Sequence, residues 1–121
     1  MDKIKVLLVE DDMAIGLHIR NFLTKNSCEV YLAQDGEEAI EKYLKQQDKF
    51  DAIVTDILMP KLNGLELLMY VRNEGLKDMR IIGMTSGFSS YLSSLSSEKF
   101  DFLLNKPIDL DYLLQLVRKE E

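Results

Sequence analysis

Cysteine occurs once in the 121 residues, as Cys28. A lone thiol can form neither an intrachain disulfide nor a multi-thiolate metal centre, and its place between two predicted elements marks it as a loop thiol. Long apolar runs are missing too. No stretch approaches the roughly 20 residues of a membrane span. Met1-Asp2-Lys3-Ile4-Lys5 leads into a short strand-like segment rather than the longer apolar region of a signal peptide. The expected address is therefore cytoplasmic, with no membrane partner. An excess of basic charge is missing as well: the formal net charge is −6 and Lys and Arg are not clustered, which argues against direct binding of nucleic acid. If the protein controls a gene, another domain contacts the DNA. Linkers, low-complexity tracts and sequence repeats are absent, so residues 1–121 are read as one domain. An apolar content of 46% is ample for one core.

Short apolar runs ending in polar or small residues are present. Val6-Leu7-Leu8-Val9, Ala52-Ile53-Val54-Thr55 and Arg80-Ile81-Ile82-Gly83-Met84 have the character of strands buried on both faces, as in a parallel sheet. Val30-Tyr31-Leu32-Ala33 and Phe102-Leu103-Leu104 are weaker candidates that complete a set of five. The intervening segments are long enough for crossover helices.

Those segments carry helical spacing. Ile15, Ile19, Phe22 and Leu23 form a one-sided stripe, with Asp12 placed to cap its start and His18 at the edge of the core. Ala39, Ile40, Tyr43 and Leu44 repeat the pattern. Leu65, Leu68 and Met69 open a third helix, and Leu110, Leu113, Leu114 and Val117 mark the last. Between them, Ser89 to Ser97 has helical spacing at Tyr91, Leu92 and Leu95. Its serines compete with a helix by bonding their own backbone, and a short, mobile segment is expected there. Strand and helix alternating five times predict a doubly wound α/β domain.

In open parallel sheets ligands bind beyond the carboxyl ends of the strands. Here those ends are chemically loaded: Glu10-Asp11-Asp12 follow the first run, Asp56 the third, Thr85-Ser86 the fourth and Asn105-Lys106-Pro107 the fifth. Converging carboxylates repel one another unless a cation neutralises them. Oxygen ligands, with no second histidine and no thiolate cluster, suit the hard cation Mg²⁺, which keeps positions for water and phosphate. Beside a metal, an aspartate can act as a nucleophile toward phosphorus. Asp56 is placed for that role, Lys106 could pair with phosphoryl oxygens, and the Thr85 hydroxyl could donate to one of them. Taken singly, Asp12 is equally well explained as a helix cap, Lys106 as a surface lysine and Thr85 as a strand-end hydroxyl. Their joint occurrence after the strands carries the reading.

Over essentially its whole length the sequence resembles the response-regulator receiver family. Val9-Glu10-Asp11-Asp12 looks like the family's acidic pair, and Asp56-Ile57-Leu58-Met59-Pro60 with Gly64 looks like its phosphoacceptor segment. Thr85-Ser86 and Lys106-Pro107 match its hydroxyl and lysine positions. The resemblance implies phosphorylation of Asp56 by a histidine kinase or a histidine phosphotransfer protein. It also implies Mg²⁺ held by Asp11, Asp56 and the Leu58 backbone carbonyl, with Glu10 acting through a water. The three consecutive acids permit either Glu10 and Asp11 or Asp11 and Asp12 as the pair; starting directly after Val9 favours the former. A flavodoxin-like sheet of order 2-1-3-4-5 and a cis peptide before Pro107 are implied as well, as is a signalling switch rather than an enzyme acting on an external substrate.

One departure concerns output. The family usually carries Tyr or Phe three residues before the lysine, where this chain has Leu103, with Phe102 shifted to the other strand face. Leu58 and Gly87, two residues beyond Asp56 and Thr85, offer no polar side chain to a water. Tyr112 and Leu116, four residues apart on the last helix, are expected to point away from its apolar stripe and to offer a face to an output domain or protein. Two other readings compete: a binding module that works without phosphorylation, and a metal-dependent phosphatase. Haloacid-dehalogenase-like enzymes usually need an aspartate where Leu58 stands, which speaks against the phosphatase.

Overall fold

A computed structural model of the chain describes residues 3–46, 49–76, 78–94, 96 and 98–121. The strands are β1 (Ile4–Val9), β2 (Cys28–Ala33), β3 (Ala52–Asp56), β4 (Arg80–Thr85) and β5 (Phe102–Asn105). They pair in parallel in the order β2-β1-β3-β4-β5, a flavodoxin-like arrangement with helices in the connections.

The strands have hydrophobic residues on both faces because both faces are covered. Val6, Leu8, Val54, Ile82, Met84 and Leu104 face α1 (Met13–Lys25) and α5 (Leu110–Val117), meeting Ile19, Leu23, Leu113 and Val117 there. Leu7, Val9, Ile53 and Ile81 point the opposite way, toward Leu67, Leu68 and Val71 of α3 (Gly64–Asn73) and toward Ala39, Ile40 and Leu44. The period of two along each strand thus divides the core into two layers.

Several expectations change in detail. Cys28 opens β2, opposite Ile4, and is buried rather than in a loop; the strand starts earlier than its apolar run because backbone pairing with β1 extends it. Burial also pushes the Cys28 thiol pKa up. The expected second helix is composite: one α-helical turn, α2 (Gly36–Glu38), continues as a π-helical segment Ala39–Tyr43 and a 3-10 turn Leu44–Gln46. Wider winding at Ala39–Tyr43 leaves Ala39 and Ile40 buried and lets the Tyr43 ring meet Tyr31 and Phe50 edge-on. The serine-rich segment forms a short helix, α4 (Gly87–Ser94), of 8 residues, beginning two residues before Ser89; positions 95 and 97 of that expectation lie outside the described residues.

Ile15 and His18 are exposed, unlike the stripe and core-edge places expected of them, while Gly16, Ile19 and Leu23 form the buried side of α1. They border a groove with Pro107 and Ile108 rather than packing on the sheet. Leu116 is fully buried whereas Tyr112 is 40% exposed, so the two do not form a common exposed face. Leu116 lies three residues from Leu113 and joins the apolar layer on that side of the sheet. Its carbonyl accepts from Arg80 Nη1 at 3.0 Å, and the Arg80 guanidinium lies 5.1 Å from the Phe102 ring centroid. No helix among the described residues is long and apolar enough to cross a membrane.

Candidate functional site

Parallel pairing brings the loaded ends of β1, β3, β4 and β5 to one edge. Val9 is level with Thr55, Asp56 with Met84, and Thr85 with Asn105. Glu10, Asp11, Asp56 and Lys106 therefore emerge side by side although they are far apart in sequence.

Glu10, Asp11 and Asp56 each offer a carboxylate oxygen, and these oxygens lie within 4.8 Å of one another. Asp12 has a different task. It caps α1, its Oδ1 accepting from the Ile15 N–H at 3.2 Å, while its own N–H donates to Glu10 Oε2 at 3.1 Å. This division assigns Glu10 and Asp11, rather than Asp11 and Asp12, to the acidic cluster with Asp56.

Burial differs sharply within the cluster. Glu10 is only 1% exposed and Asp56 7%, while Asp11 is open to solvent. Burial pushes the Glu10 pKa up to about 7, the nearby Asp56 charge adds to the rise, and the Asp12 N–H and the Lys106 charge oppose it. Glu10 Oε1 is buried without a hydrogen-bond partner among the described residues.

Lys106 partly balances these acids. Its Nζ donates to Asp56 Oδ2 at 2.8 Å and lies 3.7 Å from Glu10 Oε1. Burial disfavours its charged form, but the bond to Asp56 and the charges of Glu10, Asp56 and Asp11 outweigh that and raise its pKa. The backbone holds it there: the Lys106 N–H donates to the Thr85 carbonyl at 2.9 Å, and the peptide to Pro107 is cis, as the resemblance implied. Thr85 is buried at the end of β4, and its hydroxyl donates to the Ser86 carbonyl at 2.7 Å.

Three hard oxygen donors against one ammonium, with no imidazole or thiolate in the cluster, suit a divalent cation of the Mg²⁺ type. The orphaned Glu10 oxygen gives a second reason, since a bound hydrated ion satisfies such an atom.

Leu58 is exposed on the loop between β3 and α3, whose start is tightly folded. Asn63 caps α3 through a reciprocal pair with Glu66, and the Gly64 N–H donates to the Ile57 carbonyl at 2.8 Å. A Cβ at Gly64 would collide with the Asp56 carbonyl oxygen and come within 2.8 Å of Ile57 Cα. Glycine is needed there for close approach. On β5, Leu103 is 43% exposed and lies over Gly83, where a Cβ would come within 2.9 Å of Leu103 Cδ2 and 3.2 Å of the Phe100 ring. Phe102 packs on the opposite face, as alternation requires.

Sequence reading passed over Asp35 and Gly36. Asp35 is buried and accepts from the Glu38 N–H at 2.8 Å, and the Gly36 N–H donates to the Leu62 carbonyl at 2.9 Å. The signal was Asp35 followed three residues later by Glu38, the spacing of a helix start.

A doubly wound parallel sheet with a lysine-bridged acidic cluster at its carboxyl edge defines a CheY-like architecture. A family model described as the response regulator receiver domain matches residues 6–118. The response regulator MprA of Mycolicibacterium vanbaalenii is 37% identical over 117 residues, covering 95% of this chain and 49% of the relative. The chain thus spans about half the length of the curated relatives it matches. Among solved structures, the response regulator TrrA of Thermotoga maritima, in complex with Mg²⁺ and BeF, is similar with a TM-score of 0.82 and 32% identity, over 98% of this chain and 99% of that one. The chemotaxis response regulator CheY4 of Vibrio cholerae gives 0.80 and 28%, over 99% and 100%. A receiver domain from Clostridium thermocellum shares the fold with a TM-score of 0.86 at 24% identity, over 97% and 93% of the two chains. The chain belongs to the response regulator receiver domain family of two-component signalling, whose members act as switches.

Proposed function

We propose that Asp56 accepts a phosphoryl group from a phosphohistidine on a histidine kinase or a phosphotransfer protein, and that the modified domain changes its binding to an output domain or protein. The observation that carries this reading is the Asp56 carboxylate held 2.8 Å from Lys106 Nζ within a cluster that also holds Glu10 and Asp11. Residues 1–121 are read as one such receiver unit.

In the transfer, a carboxylate oxygen of Asp56 forms the new O–P bond. The N–P bond of the donor breaks and its electron pair returns to the imidazole. Asp11, Asp56 and the Leu58 backbone carbonyl would hold Mg²⁺, with Glu10 acting through a water. The ion, when bound, offsets the negative charge of the carboxylates and of the incoming phosphoryl oxygens. Lys106 already lies against Asp56 and is within reach of a group added to it. The Thr85 hydroxyl, which donates to its neighbour's carbonyl, is the candidate donor to a phosphoryl oxygen. The similar TrrA structure, a complex with Mg²⁺ and BeF, supports the choice of ion.

The test is incubation with acetyl phosphate and MgCl₂ followed by intact-mass measurement. The wild type gains one phosphoryl mass, Asp56→Ala gains none, and excess EDTA suppresses the gain. Equal labelling of wild type and Asp56→Ala rejects Asp56 as the acceptor.

A further inference from the structure

The loop after Asp56 is held from outside as well as from within. Its own ends are closed by the Gly64 N–H on the Ile57 carbonyl and by the Asn63–Glu66 capping pair. A further tie comes from α2: the Gly36 N–H reaches the Leu62 carbonyl at 2.9 Å. The approach is so close that a Cβ on Gly36 would lie 2.5 Å from both Leu62 O and Leu62 Cδ2, and 3.1 Å from Leu62 C. A carbon cannot sit that near a carbonyl oxygen, and the obstruction is backbone, which cannot swing aside as a side-chain tip can. Asp35 fixes the other side of this contact. Buried and bonded to the Glu38 N–H at 2.8 Å, it sets the helix start on which Gly36 lies.

We propose that Gly36 is a positioning residue for the metal site: lacking a side chain, it lets the start of α2 clamp the loop that carries Leu58, and so fixes the Leu58 carbonyl relative to Asp11 and Asp56. This rests on the reading of Leu58 as a backbone ligand. Gly36 touches neither the ion nor phosphate and offers no charge, so its contribution is geometric. A small ion with near-ideal octahedral demands is sensitive to the placement of each oxygen, and the loop supplies one of them.

The experiment is a calorimetric titration of the whole chain with MgCl₂ alone, at pH 8, with urea unfolding in EDTA on the same samples. Gly36→Ala is expected to bind Mg²⁺ about 10-fold more weakly than the wild type with all three carboxylates intact. The control is Gly75→Ala. Gly75 has φ +68° at the end of α3, and a Cβ placed on it would have nothing within 4 Å, so alanine there strains the backbone away from the site. It is expected to lower the urea midpoint and leave Mg²⁺ affinity unchanged. Wild-type affinity in Gly36→Ala, or an equal loss in Gly75→Ala, overturns the positioning role and leaves the reading of the site standing. Absence of Mg²⁺ binding by the wild type overturns both. Should Gly36→Ala fail to fold, Asp35→Ala takes its place: weaker Mg²⁺ binding supports the clamp, and unchanged binding overturns it.

Discussion

Lys106 Nζ donates to Asp56 Oδ2 at 2.8 Å although fifty positions separate the two residues in the chain. The contact exists because β3 and β5 flank β4 in one parallel sheet, so residues just past their ends reach the same edge. A buried carboxylate with an adjacent ammonium is ready for charge to develop on a neighbouring group, and the direction of several substitutions follows from that charge balance.

Replacing Lys106 with alanine removes the ammonium from beside Asp56 and Glu10 and leaves the acids unopposed. Mg²⁺ is expected to bind several-fold more tightly, because a repelling charge has gone, while phosphorylation by acetyl phosphate slows about tenfold or more. Calorimetry and time-resolved intact mass separate the two effects, and a parallel fall in both contradicts the assignment.

Glu10 makes the metal-free protein sensitive to alkali. Its folded pKa is raised from 4.5 to about 7, so the folded state holds this proton more tightly than the unfolded chain does. The resulting stabilisation is fully present below about pH 4.5 and is lost as pH rises through about 7. In EDTA, the wild type is expected to lose on the order of 2 kcal/mol relative to Glu10→Gln between pH 5 and pH 8. Urea midpoints at the two pH values measure the difference, and saturating Mg²⁺ at pH 8 is expected to raise the wild-type midpoint more than that of the variant.

Gly64 tolerates no side chain, since a Cβ would strike the Asp56 carbonyl. Gly64→Ala is expected to cost about 1–3 kcal/mol or more, because the blocking atoms are backbone, and to depress phosphorylation through displacement of Asp56. Urea unfolding and acetyl phosphate labelling report the two consequences.

Leu116 and Tyr112 provide a test of the last helix. Leu116 is 0% exposed, and Leu116→Ala is expected to cost about 2–5 kcal/mol in urea unfolding. Tyr112→Ala, at a residue 40% exposed, is expected to cost less than about 1 kcal/mol. A reversal of that order would place the helix in a different rotation.

Much of the fold was legible because burial on both faces of a parallel sheet writes uninterrupted apolar runs, as at Leu7-Leu8-Val9 and Ile53-Val54. Alternation with helical stripes then limited the topology. The serine-rich segment was less legible: local competition for backbone hydrogen bonds left its helical spacing ambiguous, and Gly87–Ser94 is a short helix. Leu116 was misplaced for a related reason. It lies four residues from exposed Tyr112 but three from buried Leu113, and helical periodicity does not say how deep the helix docks.

By itself the sequence determined which groups stand at the ends of the strands, since the order of Glu10, Asp11, Asp56, Thr85 and Lys106 after apolar runs is written in the chain. Only the tertiary structure decided that Glu10 is buried with one oxygen lacking a hydrogen bond among the described residues, that Glu10 rather than Asp12 joins Asp11 and Asp56 in the acidic cluster, and that Gly36 meets Leu62 backbone to backbone. The physical reason is that residue identity and period are local properties of a chain. Desolvation, charge proximity and close backbone approach arise only when distant segments pack against one another.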